Sequence, residues 1–295
     1  MDTRPKDFVE RDGFRGALAL LRDWGAILLV AALSVRAGSL VVYALSVWAI
    51  GYFQFAIGEA LLHEASHYNL FGRRRWNDDL EFLYALPFFK TVAGFRSEHA
   101  PHHLRLGGDE DHVVADYERF GFFEPTKNMF WLWFVKPVTG YAFFYYVSGL
   151  SLLPFKSGAK IVAFWALAVF GFWYFGGLRY LLLYWVIPYA LSYCSFLYWS
   201  EVRDHYNTAC GTRSNLSLFA NLLTHNNGYH FVHHKYPTIP WFNLRQAHNT
   251  LCPEAGDISH GFLDTYRQLK SEGRRRGLRR ALGPARRFIF PVNPP

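Results

Sequence analysis

From Ser39 to Leu62 the chain carries no Lys, Arg or Asp, and its only strongly polar side chains are Gln54 and Glu59. At about 1.5 Å of rise per residue, a helix over this run spans the ~30 Å hydrocarbon core of a bilayer. Two further runs, Ile161 to Gly177 and Tyr180 to Trp199, are joined by a tight Gly-Gly-Leu-Arg turn and read as a second helical hairpin. The run from Trp24 to Val35 is short for a crossing unless it borrows from Ala17 to Leu21. Half of the residues are hydrophobic and 19% are aromatic, yet mean hydropathy is 0.00. Long apolar runs therefore alternate with strongly polar ones, as in a membrane protein with a substantial water-exposed part.

The polar segments 63–129 and 200–295 hold all thirteen histidines. If 63–112 and 205–234 share a site, they lie on one side of the membrane, and an even number of crossings separates them. The hairpin 161–199 supplies two, so 130–155, aromatic and broken by Lys136-Pro137, is expected to lie in the interface. Lys and Arg are abundant in 1–23, 63–129 and 200–295 but sparse at the connections near Arg36 and Arg179. The positive-inside rule puts the histidine segments and both termini in the cytoplasm. The expected fold is an all-α integral membrane protein with about four transmembrane helices and a cytosolic helical cap. We read residues 1–295 as a single domain: 24–62 a first helical hairpin, 63–129 a first cytosolic part, 130–155 interfacial, 161–199 a second hairpin and 200–295 a second cytosolic part.

The formal charge of +8 does not form a soluble basic face. Basic residues cluster at Arg73 to Arg75 and from Lys270 to Arg287, beside or after apolar stretches, a pattern of anionic lipid contact and topology rather than nucleic-acid binding. Cys194, Cys210 and Cys252 form no CxxC pair, which fits a reducing compartment. The mixed charges of the first twenty-odd residues are not the pattern of a cleavable signal peptide.

Eight of the thirteen histidines fall into three boxes: His63 and His67 in HEASH, His99, His102 and His103 in HAPHH, and His230, His233 and His234 in HFVHH. Spacings of three and four put side chains on one helix face. So many imidazoles aimed together repel if protonated and need a metal or a dense hydrogen-bond network. His63-Glu64-Ala65-Ser66-His67 is also a literal HExxH, the zinc-protease pattern with Glu as base. One zinc with three protein ligands would leave most of the other histidines unexplained, so the ligand number argues for two metals. Imidazole suits zinc, copper and iron alike.

The boxes and their flanks resemble the membrane fatty-acid desaturase and hydroxylase superfamily, from about Trp24 to His248. The likeness is carried by HEASHYNLFGRRRWN at 63–77 and by HFVHHKYPTIPWFNLRQAH at 230–248. It implies a di-iron centre ligated by His63, His67, His99, His102, His103, His230, His233 and His234. It also implies a ninth ligand just after the last membrane helix, at His205. Glu201, one turn earlier, and Asn226 or Asn227, just before the third box, match positions that hold ligands or water in relatives; a bland reading of the two asparagines is backbone turning. Carboxylates commonly hold the far ring nitrogens of ligating histidines, and Glu64, Glu98, Asp204, Asp78 and Asp79 are available, with surface solvation as the ordinary alternative. Glu59 sits four residues before His63 in a membrane run, where a carboxyl is expensive unless it faces the site or a partner. Pro101 is awkward inside a continuous helix. His112 is not expected to be a ligand, and His225, His248 and His260 are expected to be structural or on the surface.

The resemblance implies oxidation of a C–H bond by O₂ with two electrons from outside. Removing two hydrogens gives a double bond and oxygen insertion gives an alcohol. A fatty acyl chain or related lipid is the expected substrate, with desaturation first. A hydroxylase or ketolase acting on an acyl chain, carotenoid, sterol or alkane is the alternative, and a zinc protease the remote one. The sequence has no haem motif, rubredoxin-type CxxC or GxGxxG after a strand, so a separate ferredoxin, rubredoxin or cytochrome is the expected electron donor, and Arg73 to Arg75 offer an acidic carrier a basic surface.

Overall fold

The computed structural model describes residues 3–108, 111–152 and 154–271 of the chain. Among them, four helices are long and apolar enough to cross a membrane: Gly13–Ala37, Leu40–Ser66, Phe155–Tyr174 and Leu178–His205. Short helices and turns make up most of the rest. The chain is an all-α membrane protein. Its contacts divide it into two compact units, one of Asp12–Phe95 with Lys136–Tyr198, the other of Met1–Arg11, Arg96–Val135 and Trp199–Pro295.

The first crossing starts well before Trp24. Asp12 caps it, accepting from the amides of Phe14 and Arg15, and Gly38 ends it in the left-handed conformation at φ 58°. The helix can absorb Arg22 and Asp23 because they pair, Nε to Oδ1 at 2.7 Å, with Asp23 fully buried. The second crossing is α-helical over Leu40–Phe55, π-helical over Ala56–Leu61 and α-helical again over Leu62–Ser66. A π turn adds a residue to the ladder and rotates all that follows, here the first histidine box.

Close approach inside this membrane unit depends on small residues, as expected where lipid offers no hydrophobic drive between helices. A Cβ added at Gly51 would lie 2.1 Å from the Cβ of Ser192, and the Ser192 hydroxyl donates to the Val47 carbonyl at 3.0 Å. In the same seam the Gln54 Nε2 donates to the Trp185 carbonyl at 3.1 Å. Trp24 stacks on Trp185 with centroids 5.2 Å apart. The fourth crossing contains Pro188 between π-helical stretches at Leu182–Val186 and Tyr189–Tyr193; such local adjustments re-satisfy a backbone from which proline has removed a donor.

The third crossing begins at Phe155, several residues before the apolar run, because Lys160 has a partner: its Nζ donates to Glu81 Oε1 at 2.6 Å. The other Glu81 oxygen accepts from the Val92 amide at 3.0 Å. The stretch after residue 130 breaks into Trp131–Val135, Lys136–Thr139 and Tyr141–Ser148, none long enough to cross.

The other unit carries short helices at His112–Phe120, Leu218–Leu223, His230–Lys235, Leu244–Leu251 and Phe262–Lys270. Two-residue strands, Ser214–Asn215 and Ile258–Ser259, pair in parallel. Phe8, Tyr229, Val232, Ile239, Leu244 and Ala247 belong to its apolar core. The helix Val92–Leu104 continues through Pro101: proline costs one donor near the C-terminal end, and its own carbonyl still accepts from the Arg105 amide at 2.8 Å. The arginine-rich tail from Arg274 to Arg287 lies outside the described residues.

Gly51→Leu is expected to destabilise the detergent-solubilised protein by about 1–3 kcal/mol through overpacking, read as a lower melting temperature. Gly25→Ala, at a helical glycine with nothing within 4 Å of an added Cβ, should be neutral or stabilising by up to about 1 kcal/mol.

Candidate metal centre

Four box and near-box histidines converge in the unit that contains Arg96–Val135 and Trp199 onward. His102 Nε2 lies 3.0 Å from His205 Nε2, His230 Nε2 lies 2.9 Å from the same atom, and His234 Nε2 lies 3.0 Å from His230 Nε2. One ring nitrogen of each of the four lies within 4.8 Å of the others, and all four side chains are buried. A second group sits against the first. His103 Nε2 is 2.8 Å from His99 Nε2 and 3.0 Å from His233 Nε2, and the His103 ring stacks on that of His234 with centroids 4.2 Å apart.

The ring tautomers decide what these short distances mean. His102 Nδ1 lies 3.0 Å from Asp111 Oδ1, and His205 Nδ1 lies 3.0 Å from the Gly211 carbonyl oxygen. Both partners only accept, so both Nδ1 atoms carry a hydrogen, and in its neutral form each ring presents a bare lone pair at Nε2. Those two lone pairs face each other at 3.0 Å. Neutral imidazoles in this arrangement repel, and a cation between them turns the repulsion into ligation. Burial first, and then the neighbouring His102 ring, pushes His205 down to about 3, so His205 does not relieve the conflict by taking a second proton. Burial likewise pushes His234 well below the ordinary histidine range. The donor set fits metal ions of the imidazole-binding kind, with Asp111 and the Gly211 carbonyl as the groups that orient the ligands.

Local sequence explains how each side chain arrives. Asp111 caps the helix His112–Phe120, accepting from the Val113 amide, and its other oxygen accepts from the Gly107 amide at 2.7 Å. Burial opposes its ionisation, but the hydrogen bonds from His102 Nδ1 and from the Gly107 amide outweigh that and hold the carboxyl below its ordinary range. His205 closes the fourth crossing. The carbonyls around that terminus are gathered by fully buried Arg213, whose guanidinium donates to the carbonyls of Arg203 at 2.5 Å, Tyr206 at 3.2 Å and Asn207 at 3.1 Å. Helix ends otherwise leave such groups unsatisfied. The third box is seated by Ser214, whose hydroxyl accepts from the Phe231 amide at 3.1 Å.

The remaining expected site residues fall as follows. His63 and His67 belong to the other unit, at the end of the second crossing, their ring centroids 5.1 Å apart, and Glu64 between them is buried. Glu59 pairs with Lys90, Oε2 to Nζ at 2.7 Å, which explains a carboxyl in that helix. Asp204 accepts from Arg203 Nε at 2.7 Å and from the Ser200 hydroxyl at 3.0 Å. Asn226 adopts φ 57° and donates to the Trp241 carbonyl at 3.0 Å, a turn-forming contact; the Asn227 amide donates to the Thr224 carbonyl. Glu201 offers its carbonyl to the Tyr117 hydroxyl at 2.8 Å. His225 packs edge-on against Trp241 and His248 is buried beside Tyr229. Sequence reasoning missed Asp111 as the partner of His102; an acidic residue at a helix start nine positions after a box histidine was the available signal. The Gly211 carbonyl left none.

The match to known proteins follows the same stretch of chain. Residues 38–265 fit the fatty acid desaturase family. The chain belongs to that family. It is thus a membrane-bound oxidoreductase of lipid metabolism. Among similar desaturases, the dihydrorhizobitoxine desaturase of Bradyrhizobium elkanii is 26% identical over 83% of this chain and 77% of its own length. The human sphingolipid delta(4)-desaturase/C4-monooxygenase is 30% identical over 62% of this chain, and the chicken sphingolipid delta(4)-desaturase 29% over the same share. The aligned stretch spans 58% of the length of each of these two.

Three substitutions at two positions test how the candidate centre is held. Asp111→Ala should lower metal retention or activity about 10–100-fold, with Asp111→Asn milder because its amide oxygen still accepts from Nδ1–H; metal analysis of purified protein reads both. Arg213→Met should cost more than about 3 kcal/mol, read as a lower melting temperature with reduced metal retention.

Proposed function

We propose that this protein uses two irons and O₂ to introduce a double bond into a fatty acyl chain or related lipid. The observation that carries the reading is the facing of bare imidazole nitrogens inside a desaturase-family chain. Nine histidines are the proposed ligands: His63, His67, His99, His102, His103, His205, His230, His233 and His234. The assignment of His63 and His67 rests on the spacing of their box and on the family pattern. Bound iron would supply O₂ reduction and hydrogen abstraction from an unactivated C–H bond. The chain's own residues have the task of keeping the ligand rings neutral and oriented. Asp111 holds the Nδ1 proton of His102, the Gly211 carbonyl holds that of His205, and burial keeps His234 unprotonated.

Overall, one –CH₂–CH₂– unit, O₂, two electrons and two protons give –CH=CH– and two waters. The electrons come from a separate ferredoxin, rubredoxin or cytochrome, and the excess of Lys and Arg in the histidine segments supports placing them on the cytoplasmic side with both termini. Hydroxylation with the same centre is the second reading, supported by the C4-monooxygenase in the name of the human relative.

Lipid mass spectrometry of cells expressing wild type or His233→Ala, each with its purified metal content, tests the proposal. The expected result is wild-type lipid lacking two hydrogens, absent in the variant, with about two irons per wild-type chain. Products that gain oxygen would select hydroxylation. Iron-free protein carrying one zinc that survives His233→Ala would overturn the oxidase reading in favour of the HExxH protease.

A further inference from the structure

His112 and Asp116 stand at i and i+4 on the helix His112–Phe120, so they share one face. A ligand atom of each, together with a carboxylate oxygen of Glu201, lies within 4.8 Å of the others. Asp116 is buried, and the His112 side chain is 49% exposed. The set is therefore anchored at its base and open to water at its rim. The Tyr117 hydroxyl, donating to the Glu201 carbonyl at 2.8 Å, ties the two segments together at this level.

None of the three residues belongs to the proposed iron ligands. The region is strongly negative: Tyr117 is pushed well above the ordinary phenol range by burial first and then by the charges of Glu201, Asp111, Asp204 and Asp116. Two carboxylates and one imidazole in a negative field, with an open side for water, are the donors of a three-ligand zinc-type site.

We propose that His112, Asp116 and Glu201 form an accessory site for a divalent transition cation of the zinc class, separate from the two irons. Its ligands come from the helix that Asp111 caps and from the turn before His205. A cation there would clamp those two segments to each other. The assignment does not rest on the nature of the chemistry at the histidine centre.

The test is metal stoichiometry by mass spectrometry on purified, iron-loaded full-length protein, equilibrated with buffered free zinc and freed of unbound metal. Wild type is expected to hold one zinc beyond its iron. His112→Gln and Asp116→Asn are expected to weaken that zinc at least tenfold while iron content stays unchanged. His112 is exposed, so its variant remains informative if Asp116→Asn does not fold. Equal zinc in wild type and His112→Gln, zinc gained only as iron is lost one for one, or no extra zinc would each overturn the site. If the protein takes up no iron, the iron reading fails by itself, and the one-zinc difference between wild type and His112→Gln still decides this proposal.

Discussion

Two lone pairs pointed at each other across 3.0 Å, on His102 and His205, set the terms for the part of the chain that surrounds them. Neither ring can turn away without giving up its Nδ1 partner, Asp111 in one case and the Gly211 carbonyl in the other. Each partner is fixed in turn: Asp111 by the Gly107 and Val113 amides, and the segment between His205 and the first strand by the Arg213 side chain and by the bond from the Arg213 amide to the Asp204 carbonyl. The cost of holding like atoms together is spread over this frame, and an ion bound among them would make the frame favourable.

Four carboxylates in or beside the apolar part of the chain are paired. Glu59 meets Lys90, Glu81 meets Lys160, Asp23 meets Arg22, and Asp204 meets Arg203. Each of these acids stands in or against a helix of the apolar part of the chain, where an unpaired carboxylate would be costly. Asp111 is different: its partner is the ring of His102, so its charge is directed to the histidine cluster.

Much of this was legible in the sequence because it depends on patterns that local geometry enforces. Apolar runs of crossing length give the four membrane helices, and i, i+3 and i, i+4 spacings put the box histidines on common faces. The family likeness named His205 in advance, and the structure brings it to His102, His230 and His234. Partners were not legible in the same way. The expense of Glu59 could be read from its place in a membrane run, but not that Lys90, distant in sequence, relieves it. The start of the first crossing at Gly13 was obscured by Arg22 and Asp23, whose charges count against a membrane helix until they are seen paired. Asn226 illustrates the reverse case, a polar residue beside a box whose backbone conformation and Trp241 contact make it part of a turn.

The sequence by itself determined the class of the protein, the number of crossings and the kind of ligand, since apolar length, helical period and imidazole chemistry are properties of the chain read one residue after another. Tertiary structure alone decided which nitrogen of His102 and of His205 is bare, which carboxylate serves a ligand and which serves an ion pair, and where Glu201 finds His112 and Asp116. Those outcomes depend on how the folded backbone brings together residues that are not chain neighbours, nine apart for His102 and Asp111 and six apart for His205 and Gly211. A hydrogen bond or a repulsion acts over about 3 Å, a scale that only the folded backbone sets.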